Sequence, residues 1–308
     1  MATTLSRRDR VRAATVTEIK DTARRILVAE GPDGLSLRAI AREMGMTAPA
    51  LYRYFPSRED LIGALIADLY DELTATLTAA AGTAAGTAAG TTAGTAAGTA
   101  AGTTTGTAGG AAGAARGVAG RSRDAGGGAS GGTTSGTTGG TAGAGVADNA
   151  GAAADGDPRA GITAASWAFR AWALAHPREF GLLFGSPIPG IDAHSDDSPA
   201  GLASERFGQV FGDLVARIYL ADPFPVPAED EMDPELRRQL RDWCSALPVE
   251  LPIGAGQVFL SCWIRLYGMV AMEVFGHLQF ALPDAEPLFE AELRDLAVKL
   301  GFGAPAAT

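Results

Sequence analysis

Leu35-Ser-Leu-Arg-Ala-Ile-Ala-Arg-Glu-Met-Gly-Met-Thr-Ala-Pro-Ala-Leu-Tyr-Arg-Tyr-Phe-Pro-Ser-Arg-Glu-Asp-Leu61 reads as two short helices about a glycine turn, with a third helix opening at its end. Ser36 is a good N-cap, Leu37, Ile40, Ala41 and Met44 recur at helical spacing, and Gly45 suits a left-handed C-terminal turn. Thr47 can cap a short helix from Ala48 to Phe55, with Pro49 in its first turn, where a missing N–H costs little. Ser57 and Asp60 form a variant capping box for a fourth helix, whose apolar positions Leu61, Leu65, Leu69, Leu73 and Leu77 continue downstream. Upstream, Ile19, Ala23, Ile26 and Leu27 make one apolar stripe, stopped by Gly31 and Pro32.

Beyond Leu77 the composition changes abruptly. Of the 78 residues from Ala79 to Gly156, 66 are Ala, Gly or Thr, and none is Leu, Ile, Met, Phe, Trp or Tyr. Gly82, Gly86, Gly90, Gly94, Gly98, Gly102 and Gly106 recur every four residues, each followed by Thr. A helix there would absorb ~1 kcal/mol per glycine with no large side chain to offset it, so a disordered linker or expanded insertion is expected. The 308 residues therefore hold about one fold of ordinary size, some 230 residues, and not two large domains.

After the insertion, Asp157-Pro158 is again an N-cap and N1 pair. Helices are predicted from about Pro158 to Ala175, Arg178 to Phe184, Pro199 to Leu220, Pro234 to Leu247, Ile253 to Phe280 and Glu286 to Leu300, broken by His176-Pro177 and the Gly/Pro-rich 185–190. Strands are not evident. The fold class expected is all-α: a three-helix helix-turn-helix domain at residues 13–73 with its motif at 36–55, a low-complexity linker at 79–156, and a helical bundle at 157–303. No run reaches the ~18 consecutive apolar residues of a membrane span, and Met1 to Arg12 lacks the apolar region of a secretory signal, so a cytoplasmic protein is expected. Cys244 and Cys262 make neither a disulfide framework nor a zinc site.

Charge is segregated. The net −10 divides into +3 on residues 1–60, where 11 Lys and Arg face 8 acids, and −13 on the rest. A basic head on an acidic body suits phosphate contact at one end, and a helix-turn-helix places its second helix in the major groove. A solvated charged surface would equally account for Arg24 and Arg25.

The quoted stretch also resembles the DNA-binding domain of TetR-family (tetracycline-repressor-like) regulators, through Leu51-Tyr52-x-Tyr54-Phe55 and Ser57-Arg58-Glu59-x-Leu61. Trp172-Ala-Leu-Ala-His176-Pro177, Trp263-x-x-Leu266-Tyr267-Gly268 and Glu273-Val-Phe275-Gly276-His277 are similar to the body of a TetR subgroup named for its Trp, His and Gly positions. The family passes from its fourth to its fifth helix by a short connection, so the insertion departs from its pattern.

The resemblance implies that Tyr52 and Tyr54 reach phosphate oxygens and that Thr47, Ala48, Pro49 and Arg53 face the groove. Arg38 or Arg53 could grip a guanine edge, while Ala48 and Pro49 offer only apolar contact, for example to a thymine methyl. Arg58, at the first turn of the fourth helix, combines a guanidinium with unpaired backbone N–H groups and is a further phosphate candidate. Arg7, Arg8, Arg10 and Arg12 form either an arm reaching the DNA or a disordered basic tail.

The body aromatics Trp167, Phe169, Trp172, Phe184, Phe207, Phe211, Trp243, Trp263, Tyr267 and Phe275 read first as core. The resemblance adds an effector pocket for an apolar or aromatic small molecule, with Trp167, Trp172 and Trp263 as candidates. It also adds a homodimer face on the last two helices, with Leu288, Leu293, Leu296 and Leu300, and a palindromic operator as partner. No cofactor or metal is expected: His176, His194 and His277 have no companion ligands at metal spacing, and nothing assembles a nucleophile, base and oxyanion site. The competing reading is a nonspecific or architectural helix-turn-helix protein.

Overall fold

The computed structural model describes residues 6–92, 156–188, 198–245, 247 and 249–303. The described residues form ten α-helices and one 3-10 turn, and contain no strand. The helices are α1 (Arg7–Glu30), α2 (Leu37–Glu43), α3 (Ala48–Leu51), α4 (Arg58–Thr92), α5 (Pro158–Ala175), α6 (Pro177–Phe184), α7 (Pro199–Ala221), α8 (Pro234–Cys244), α9 (Ile253–Val274) and α10 (Glu286–Lys299), with the turn at Pro32–Gly34.

Capping chemistry sets most of these ends. Ser36 Oγ accepts from the Ala39 N–H at 3.1 Å, Asp157 from Arg159, Ser198 from Gly201, and Asp233 from both Glu235 and Leu236. Ser57 accepts the Asp60 N–H at 3.0 Å and returns its hydroxyl proton to the Asp60 carboxylate at 2.8 Å, closing the expected box. Gly45, at φ +65°, ends α2, and the Met46 N–H reaches back to the Ala41 carbonyl.

Three boundaries differ from expectation. The helix after Thr47 is a single turn, Ala48–Leu51, continued by turns to Tyr54, and Thr47 makes no side-chain cap bond. Gly276, at φ +73°, lets the His277 N–H close on the Met272 carbonyl at 2.8 Å, so α9 stops at Val274 and not at Phe280. Finally, α4 runs past Ala79 into the Ala/Gly/Thr repeat as far as Thr92. Packing explains its first turn there: Ala81 is buried, and Gly161 of α5 approaches it so closely that an added Cβ would stand 3.5 Å from the Ala81 carbonyl. Most of the segment expected to be disordered, 93–155, lies outside the described residues.

One core runs through both parts. In the head, Ile19, Ala23 and Leu27 of α1 meet Ile40, Leu51, Phe55, Leu61 and Leu65. In the body, Phe169 has no exposed surface and lies within ring contact of Phe180, Phe184, Phe207, Phe211 and Trp263. Core packing is thus what the structure gives most of the body aromatics. Tyr70 of α4 joins them, its hydroxyl donating to the Leu183 carbonyl at 3.3 Å. Burial pushes that phenol up to about 12, against an opposing hydrogen bond with Ser204. Helix α9 has the length and mean hydropathy of a membrane span, but half of that window is buried in the bundle, and Arg265 on it pairs with Glu292 of α10 at 2.5 Å.

Candidate nucleic-acid interface and ligand cleft

The head presents one polar face. Leu51, fully buried, and Phe55, nearly so, anchor α3 to the core, and this turns Thr47, Pro49, Tyr52 and Arg53 outward. Ala48 is half-buried beside them, while Arg38 and Arg42 of α2 are exposed. Tyr52 keeps 46% of its surface exposed. Tyr54 lies partly buried, with the Arg12 guanidinium 5.1 Å from its ring centre. The same Arg12 donates to the Arg53 carbonyl at 3.4 Å.

Arg58 is also engaged within the head. Its Nε donates to the Leu35 carbonyl at 2.8 Å and an Nη to the Pro32 carbonyl at 2.7 Å. Two of its five N–H groups are therefore committed to backbone acceptors in the loop between α1 and α2, which this arginine clasps from the start of α4. The basic N-terminal residues are not a disordered tail: Arg7 to Arg12 are helical, and Ser6 caps the helix by accepting the Asp9 N–H.

Head and body are joined by a cluster that the sequence does not reveal. Arg24 of α1 donates to both Glu72 oxygens, at 2.5 and 3.2 Å, and to Glu179 of α6 at 3.1 Å. Glu72 also accepts the Trp172 indole N–H at 2.9 Å, and Trp172 stacks on His176 with ring centres 4.9 Å apart. Burial acts to raise the Glu72 carboxyl, but hydrogen bonds from Arg24 and Trp172 outweigh it and hold the group below the usual range. Arg24 was equally explicable as a solvated cation. Its partners lie 48 and 155 residues away, a separation over which no periodicity carries information.

The three tryptophans part company. Trp263 lines an apolar cleft of about 40 Å³ between α5, α7, α9 and α10, walled by Ile162, Phe211, Phe259, Leu266 and Leu296, with Thr163 and Ser166 also in its lining. Trp167 packs edge-on against Phe289 and borders an open groove with Arg159 and Phe302. Trp172 belongs to the junction described above. Cys262 also lines the cleft, and burial raises its thiol. His277 is exposed, and His194 lies outside the described residues.

The expected dimer leucines divide as well. Leu296 and Leu300 are buried in their own subunit's core and Leu293 packs against it, because α10 turns that face toward α5 and α9. Leu288 stays exposed. Apolar surface also faces outward on α9, where Ile264 (67% exposed) and Met272 flank Gly268, at four-residue spacing.

A glycine-turn helix pair whose exposed face carries Arg38 and Arg42 on α2 and Arg53 just past α3, set on an all-helical body, defines a helix-turn-helix DNA-binding protein. Comparison with known proteins places it further. Residues 19–65 match the model for bacterial regulatory proteins of the tetR family, and residues 162–296 match the tetracyclin repressor-like C-terminal domain. The HTH-type transcriptional regulator Rv1816 of Mycobacterium tuberculosis is 26% identical over 295 residues, covering 92% of this chain and 91% of the relative. Mb1846 of Mycobacterium bovis, also an HTH-type transcriptional regulator, matches with the same figures. The crystal structure of the regulatory protein SCO4313 superposes with a TM-score of 0.56 at 28% identity, covering 94% of this chain and 98% of that one. The chain belongs to the TetR family and is a DNA-binding transcriptional regulator.

Proposed function

We propose that this regulator is a homodimeric, small-molecule-responsive repressor with a palindromic operator. The observation that carries the reading is the outward set Arg38, Thr47, Ala48, Pro49, Tyr52 and Arg53, on a head whose first helix is tied to the body through Arg24 and Glu72. Thr47, Ala48, Pro49 and Arg53 face the major groove, with Arg38 or Arg53 on a guanine edge and Tyr52 and Tyr54 at phosphates. Arg58 remains a further phosphate candidate through the N–H groups it does not give to Pro32 and Leu35.

The head comprises residues 13–73 and the effector and dimer body 157–303, joined through the insertion. The effector is apolar or aromatic and is taken up at the cleft beside Trp263, which at about 40 Å³ has to widen to admit it. Two recognition helices ~34 to 36 Å apart engage successive major grooves. The effector acts only through differential affinity for the bound and released arrangements. Dimerisation uses the exposed α9 face around Ile264 and Gly268, with Leu288 of α10 beside it. The Trp172, His176, Trp263, Gly268 and His277 pattern supports the Trp/His/Gly subgroup. Action on chromosomal DNA makes the protein cytoplasmic, and nucleoid-associated when bound. No catalytic role is proposed.

A mobility-shift assay with the DNA just upstream of its own gene tests the reading. Retardation of one palindromic segment in preference to scrambled DNA is expected. Equal binding to all sequences would replace the repressor with the architectural alternative.

A further inference from the structure

The first two turns of α1 hold nothing of the core. Every residue from Ser6 to Ala14 is exposed, and the first buried side chain is Ile19. Four of the residues from Arg7 to Arg12 are arginines, and the only acid among them, Asp9, is engaged by the Ser6 hydroxyl at 2.7 Å. Among the described residues, Arg7, Arg8 and Arg10 form no ion pair. Positive side chains gathered at a helix N-terminus oppose the helix dipole. Neither burial nor intramolecular pairing explains them.

Their location does. Arg12 is the one arginine of the group with a tertiary partner, and that partner is the recognition element: its guanidinium covers the Tyr54 ring and reaches the Arg53 carbonyl. Arg8 lies one turn before Arg12 on the same helix face, ~6 Å further along the axis. The exposed basic end of α1 is thus continuous with the groove-facing surface of α3.

We propose that this end of α1 is a second, rigid DNA-backbone contact, in which Arg8 takes a phosphate flanking the recognised half-site and Arg12 acts as a positioning residue for Tyr54 and Arg53. A helix fixes the spacing between the two contacts, which a flexible arm would leave open. The inference rests on the DNA-binding assignment and adds contacts to it.

The test is titration of full-length protein with its operator duplex and with a scrambled duplex over a range of salt concentration. Each phosphate contact contributes about −0.9 to the slope of log affinity against log salt. Arg8→Ala, losing one contact in each half-site of a dimer, is expected to make the slope shallower by about two, with unchanged melting temperature and an unchanged operator-to-scrambled ratio. Arg12→Lys keeps the charge but loses the planar guanidinium, and is expected to weaken operator binding several-fold with the slope intact. A wild-type slope for Arg8→Ala overturns the backbone contact, and wild-type affinity for Arg12→Lys overturns the positioning role. If the wild-type protein shows no operator preference, the repressor reading fails, while the Arg8→Ala slope on scrambled DNA still decides this proposal.

Discussion

The indole N–H of Trp172 donates to Oε1 of Glu72 at 2.9 Å, on the same carboxylate that takes two hydrogen bonds from Arg24. Three helices, α5, α4 and α1, therefore meet at one side chain. Helix α5 also carries Ile162, Thr163 and Ser166, which line the cleft about two to three turns earlier, so one helix borders both the cleft and the head's attachment. Glu72→Gln should lower stability by about 1 to 3 kcal/mol at neutral pH, since it weakens bonds to a charged acceptor. Because the folded-state carboxyl is held below its ordinary value of 4.5, its contribution is present above that pH and lost as the pH falls further. The difference in melting temperature between the two proteins should accordingly be smaller at pH 3.5 than at pH 7.

Arg58 separates a clasp from a phosphate contact. Arg58→Ala strips two buried-side donors from the Pro32 and Leu35 carbonyls. A loss of roughly 2 to 3 kcal/mol in denaturant melts is expected. A shallower salt dependence of DNA binding by the folded variant would place Arg58 among the backbone contacts, and a slope matching the parent would leave it a clasp alone.

Asp213 on α7 is raised by burial to about 6, with Arg217 acting in the opposite direction. The folded state thus binds its proton more tightly than the unfolded chain, and stability falls as pH rises from about 4 through 6. Asp213→Asn should raise the melting temperature at pH 7.5 and have little effect at pH 4. The gain is on the order of 1 to 2 kcal/mol, reduced from the full shift because the carboxylate keeps access to solvent.

The exposed side of α9 is the place to break a dimer. Ile264→Arg introduces a charge where 67% of the side chain already meets solvent in the single chain. Sedimentation should show a monomer with an intact helical spectrum. A dimer that survives this change would move the interface elsewhere.

Deletion of residues 93–155 removes the low-complexity chain beyond α4 and leaves the buried Ala81 and its contact with Gly161 in place. Operator affinity within a few-fold of the parent is expected. Deletion from Gly82 instead removes about three turns of α4 and should cost stability as well, measurable as a lower melting temperature.

Local chemistry made much of this molecule legible before its structure. Ser36, Ser57 and Asp157 announce helix starts because a side-chain oxygen satisfies an N–H group two or three residues on, and that need is written within four residues. Gly45 marks the turn between α2 and α3 for the same local reason. Thr47, Pro49, Tyr52 and Arg53 face outward as expected because Leu51 and Phe55 are the only large apolar residues in that turn, so burying them leaves the others no other side.

Tertiary structure decided what depends on distant partners. Whether α4 stops at Ala79 or continues turned on the contact between Ala81 and Gly161, 80 residues apart. Arg58 and Arg24 are basic residues with the same local appearance as a DNA ligand, yet the carbonyls of Pro32 and Leu35 and the carboxylates of Glu72 and Glu179 claim them. Trp172 and Trp263 sit on equally apolar helices, but one reaches a carboxylate and the other a cleft. Helix type, helix ends and the basic head follow from interactions within a few residues, whereas the assignment of each arginine and tryptophan to structure or to ligand follows from which groups the fold brings within 3 Å.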